Sequence, residues 1–202
     1  TVVESGSGTS FDCGTPESCE FQGDDSASSE GDDPSSRSDN LPGLGSCCIE
    51  LHLLTGDTDP PLKSYLCRYL KHIVELEGVT QCELSVAVVD ADYMAQLHRS
   101  HLGCEGPTDV LTFDLRDIPA RDASGAALEG DIVICRDVAV QRASQHGHDA
   151  RAELLLYAVH GLLHLTGHDD HNPRQAAAMH AREDELLTTV GVGPIYAKGE
   201  TQ

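Results

Sequence analysis

The chain has 202 residues, with 13 Lys and Arg against 34 Asp and Glu, for a formal net charge of −21. That length holds one domain and a tail, or two small domains. The charge repels nucleic-acid phosphates, so any RNA contact must run through a local patch or a metal, and DNA is not expected as a partner.

Residues 1–46 are rich in Ser, Gly, Asp and Glu; ten acids face Arg37 alone, so the segment carries −9 and leaves −12 on the rest. Apolar side chains are too few to offset the ordering entropy, so a disordered acidic tail is expected, solvated rather than docked. It has neither the basic and apolar layout of a signal peptide nor the Arg-rich character of a transit peptide. No apolar run approaches the roughly 18 residues of a membrane span, so no membrane partner is expected.

A globular domain is expected over 47–192, with 193–202 as a C-terminal tail. "CIELHLL" (48–54) alternates as a strand does. A helix follows, with Leu62, Leu66, Tyr69, Ile73 and Leu76 at helical spacing and Gly78 as its stop. "ELSVAVVD" (83–90) is a strand, and "ADYMAQLHRSHLG" (91–103) a helix with Asp90 as a candidate cap. "DVLTFDL" (109–115) and "GDIVICRD" (130–137) are two more strands, joined by a polar loop. Helices are expected at about 137–147, 150–166 and 174–190, with Asp149 capping the second and Pro173 opening the third. The order β-α-β-α-β-β-α-α-α predicts an α+β fold: a mixed sheet of about four strands covered by helices. The eight cysteines form no CxxC pair, and free thiols in a reducing compartment are the expectation.

Chemistry concentrates in "AVHGLLHLTGHDDH" (158–171), which holds four of the eleven histidines. On a helix, His160 and His164 lie one turn apart on one face, where two imidazoles can share a tetrahedral metal. Gly167 can end the helix with a positive φ and turn "HDDH" back toward the same metal. Gly161 stands where the zinc peptidase pattern H-E-x-x-H carries its general base. Without that Glu, the site suits hydrolysis in which the metal does more of the work, such as attack at a phosphodiester.

"HGLLHLTGHDD" resembles the signature of the YbeY family of metal-dependent endoribonucleases. "GPTDVLTFDL" (106–115) and "EGDIVICRDVA" (129–139) are similar to two further motifs of that family, in the same order. The resemblance covers about 48–190 and leaves the tail outside. It implies a single-strand-specific endoribonuclease in maturation of the 3′ end of small-subunit rRNA and in ribosome quality control. Implied with it are one zinc ion per chain, a metal-activated water as nucleophile, rRNA and the small subunit as partners, and a cytoplasmic setting, with an organellar one as the alternative. The family's third ligand, normally His, falls in register on Asp170, which is taken as the ligand; His171 is the alternative if the turn absorbs one more residue. His168 stands at a family position often held by an aromatic, so a packing role is expected for it. The family's phosphate-binding Arg falls on Leu102, and Arg99, a turn earlier, is the nearest replacement. Thr108, Asp109 and Thr112 are expected by resemblance to line or brace the cleft, or else to make local turn contacts. Asp131 is read as the beginning of a strand. Two rival readings are another zinc hydrolase, such as a peptidase or amidohydrolase, and a non-enzymatic ribosome-assembly protein with a structural metal.

Overall fold

The strands owe their positions to alternation. In a computed structural model describing residues 2–3, 47–55, 60–116 and 127–196, every second residue of the central strands turns to one apolar face. The elements are β1 (Val2–Val3), β2 (Cys47–Leu53), α1 (Pro60–Leu76), β3 (Gln81–Val89), α2 (Ala91–Leu102), β4 (Val110–Asp114), β5 (Ala127–Cys135), α3 (Arg136–His146), α4 (Ala150–Leu165) and α5 (Pro173–Thr189). From β2 onward they follow the expected order. The sheet runs β1-β4-β5-β3-β2. The β2–β3 and β3–β5 pairs are parallel and the β4–β5 pair is antiparallel, so the sheet is mixed.

Two departures stand at the chain ends. Val2–Val3 pairs in parallel with β4, in register with Thr112 and Phe113, although it belongs to the segment expected to be disordered. The rest of 1–46 lies outside the described residues, as does the 117–126 part of the polar loop. At the other end, residues 193–196 were expected in a tail. Instead the backbone N–H groups of Ile195 and Tyr196 donate to Asp184 Oδ1 on α5.

Parallel register places Val86 beside Ile132 and Val88 beside Ile134, all fully buried, so adjacent strands build one apolar floor. Burying each such side chain contributes about 1.5–3 kcal/mol. α4 lies on that floor with α1, α3 and α5 around it. Its residues from Glu153 to Leu165 are buried except His160 and His164, as expected of a helix apolar on nearly all sides. Asp149 starts it by accepting from the Arg151 N–H at 2.9 Å. α2 covers part of the opposite face, with Met94 against Val89, Leu111, Val133 and Cys135. The six described cysteines, Cys47, Cys48, Cys67, Cys82, Cys104 and Cys135, are free thiols. Among the described residues no helix is long and apolar enough to cross a membrane.

Candidate metal centre

α4 presents one polar stripe, Glu153, Tyr157, His160 and His164, at the i, i+4, i+7, i+11 spacing of a single helix face. The helix then ends in a backbone motif that reverses the chain. His168 N–H donates to Leu163 O, Gly167 N–H donates to His164 O, and Gly167 takes a φ of +98°. The reversal returns Asp170 to the two imidazoles. Its Oδ2 lies 3.8 Å from His160 Nε2 and its Oδ1 lies 3.8 Å from His164 Nε2. The two Nε2 atoms are 3.1 Å apart. A tetrahedral ion bonded at about 2.0–2.1 Å holds its ligand atoms roughly 3.4 Å apart, a spacing between the 3.1 Å and 3.8 Å separations found here.

The far side of each ring settles which nitrogen is protonated. His160 Nδ1 faces Glu183 Oε1 at 2.7 Å. His164 Nδ1 faces the His168 carbonyl oxygen at 3.2 Å. Both partners only accept, so each Nδ1 carries the proton and donates. In neutral rings the Nε2 atoms are then the coordinating nitrogens, and they face each other and a carboxylate. That arrangement repels itself unless a cation sits at the convergence, so the residues present fit a divalent metal. Burial, and then the neighbouring His160, push the His164 pKa down to about 4, which keeps it neutral and ready to coordinate at pH 7.

Gly161 explains why the site departs from the peptidase pattern. A Cβ there would lie 2.9 Å from both Ile132 Cγ2 and Thr112 Oγ1, so position 161 faces the sheet and leaves no room for a Glu. Thr112, expected near the cleft, is wholly buried beneath α4 at this contact, and its hydroxyl has no hydrogen-bond partner among the described residues. It fixes the height of α4 above the sheet.

The other expected residues divide. His171 is 76% exposed at its side chain and is bonded through Nδ1 to Asp169, while Asp170 meets the two imidazoles. Asp169, Asp170 and His171 also form an exposed cluster able to hold an ion. His168 Nε2 lies 3.7 Å from Glu77, just past the end of α1. Arg99 is exposed on α2 and spends its guanidinium on Glu105 at 2.6 Å. Thr108 donates to Asp109 Oδ1, which also accepts from the Val110 N–H, so both make local turn contacts. Asp131 lies in the middle of β5 rather than at its start, on the face away from α4. It shares a shallow acidic pocket with Glu50, Glu83 and Glu129. Burial raises its carboxyl pKa.

Sequence reasoning missed Glu183, which has no exposed surface and holds His160. A signal was present. Glu183 sits on the apolar stripe of α5 with Met179, Leu186 and Leu187, where an acid needs a partner.

Fold and site together define a small α+β protein in which two histidines of one core helix and an aspartate of the turn after it form a group that could hold a metal ion. A family model, Endoribonuclease YbeY, matches residues 56–191. The chain belongs to the YbeY endoribonuclease family. It is 41% identical to the Endoribonuclease YbeY of Corynebacterium efficiens over 119 residues, 56% of this chain and 60% of that protein. It is likewise 41% identical to that of Salinispora tropica, over 59% of this chain and 82% of the relative. With that of Moorella thermoacetica the identity is 41% over 65% of this chain and 88% of the relative. The solution structure of TM1509 from Thermotoga maritima shares the fold, with a TM-score of 0.51 and 22% identity over 77% of this chain and 99% of that one.

Proposed function

We propose that this protein is a metal-dependent, single-strand-specific endoribonuclease that matures the 3′ end of small-subunit rRNA and serves ribosome quality control. The observation that carries the metal is the convergence of two Nε2 atoms and the Asp170 carboxylate. His160, His164 and Asp170 hold the ion, for which zinc is our choice. The ion supplies Lewis-acid activation of water and of the scissile phosphodiester.

The chain's own residues do the rest. Glu183 and the His168 carbonyl oxygen hold the imidazoles with Nε2 forward. Asp170, 38% exposed at its side chain, lies where the site opens to solvent and leaves access for a substrate. Gly161, pressed on the sheet, keeps a peptidase-type base out of reach. Family membership supports RNA as substrate, and partnership with the small subunit follows from an rRNA substrate. The same reading places the protein with ribosomes, in the cytoplasm or an organelle.

The test is metal analysis of the purified protein, followed by cleavage of single-stranded and duplex RNA with and without chelator. We expect one zinc per chain and cleavage of the single strand that chelator abolishes and zinc restores. Full cleavage by metal-free protein would falsify the mechanism.

A further inference from the structure

Two buried carboxylates on neighbouring helices share one arrangement, each lying between an imidazole and a phenol. Glu153 meets the His148 ring and the Tyr157 hydroxyl. Glu183 faces His160 Nδ1 at 2.7 Å, and its charge acts on the phenol of Tyr196. Only the second set touches a residue of the metal centre.

Tyr196 lies beyond α5, and separate contacts fix it. Asp184 Oδ1 accepts from the backbone N–H of Ile195 at 2.7 Å and of Tyr196 at 3.1 Å. The Tyr196 ring stacks on His180, with centroids 4.0 Å apart and planes 14° from parallel. The ring is partly exposed and stands on His180, one helical turn before Glu183, whose charge reaches the phenol. Burial, and then the Glu183 charge, raise the phenol pKa, so it stays a protonated donor. Glu183 needs such a donor. Its Oε1 is used by His160, and its Oε2 is fully buried with no hydrogen bond among the described residues. Leaving a buried carboxylate oxygen unpaired is costly.

We propose that Tyr196 is a positioning residue of the metal centre: its hydroxyl holds Glu183, Glu183 holds the Nδ1–H of His160, and the segment after α5 is part of the site. This rests on the reading of His160 as a metal ligand. Partners of metal ligands are typically worth 10–100-fold in affinity, and a group one step further out belongs at the lower end.

The experiment titrates Zn²⁺ alone into the full metal-free chain, in competition with a chromogenic chelator. Tyr196→Phe keeps the ring stack and the backbone contacts and removes only the hydroxyl. We expect zinc binding about 10-fold weaker, a metal-free melting temperature close to the parent's, and little further loss when Tyr196→Phe is added to Glu183→Gln. Asp184→Ala, which releases the backbone of the segment and leaves both side chains in place, weakens zinc in the same direction. Unchanged affinity in both variants, or an equal loss in the Glu183→Gln background, overturns the positioning role. Failure of the parent chain to bind zinc at all overturns the ligand reading, and the positioning role with it.

Discussion

His164 is the most enclosed of the candidate ligands, with a side chain 3% exposed, and its low pKa ties metal binding to stability. An unfolded histidine titrates near 6.5, while the folded one titrates at about 4. Between these values the unfolded chain takes up a proton that the folded chain refuses. The folded state of the metal-free protein is therefore favoured above pH 6.5 and loses stability as the pH falls toward 4, by at most about 3 kcal/mol. Melting temperatures of metal-free protein from pH 7 to pH 4.5 measure this, and His164→Gln should flatten the slope; an unchanged slope assigns it to another group. His164→Ala should abolish bound zinc and RNA cleavage together, since both need the same lone pair. For the third ligand, Asp170→Ala should lose metal and His171→Ala keep it, because His171 turns to Asp169. The reverse result means a bulged turn. Loss in both means a site closed by four protein ligands, which favours the structural-metal reading. Spacing alone made His160 and His164 legible in the sequence. Tyr196 was not legible, because only the course of the chain after α5 brings it back to Glu183.

At the scale of elements, periodicity carried nearly everything that could be read. The strands β3 and β5 are apolar runs followed by Asp90 and Arg136, the caps Asp90 and Asp149 and the opening Pro173 were readable, and the structure adds Asn172 as the cap of α5. What no pattern reveals is how tightly two elements approach. α4 and the sheet meet at Gly161 and Thr112, and the sequence shows there only a missing peptidase Glu. The contact yields a prediction. Gly161→Ala gains about 1 kcal/mol in helix propensity but forces a Cβ against Ile132 and Thr112, at a cost of about 1–3 kcal/mol. The net effect should be a melting temperature lower by a few degrees, with zinc affinity reduced because α4 must lift and carry both imidazoles with it. Gly161→Glu should be severely destabilised and should show no peptidase activity. A stable Gly161→Glu protein would mean that α4 is free to move off the sheet.

For the whole molecule the dominant fact is charge, and the acidic tail isolates its effect. Removing residues 1–46 takes −9 from a total of −21. Its composition supplies little to a core, and the pairing described for it is that of Val2–Val3 with β4. A net backbone hydrogen bond is worth about 1 kcal/mol, and 1 kcal/mol shifts the melting temperature of a chain this size by about 2–4 °C. Deleting 1–46 should therefore lower the melting temperature by no more than about 8 °C, counting two such bonds. A larger drop would show that the tail packs on the domain. Function should move the other way. The tail adds negative charge to a protein that must approach phosphates, and that repulsion reaches across the solution at low salt. At 0.1 M salt the screening length is about 10 Å, so a separated tail is largely hidden from the substrate, and at 0.01 M it is not. The deleted form should therefore have a lower KM for RNA than the full chain at low salt, with the two converging as salt rises and kcat unchanged. A higher KM after deletion, at any salt, would mean that the tail contributes contacts to the RNA or to the domain that outweigh its charge.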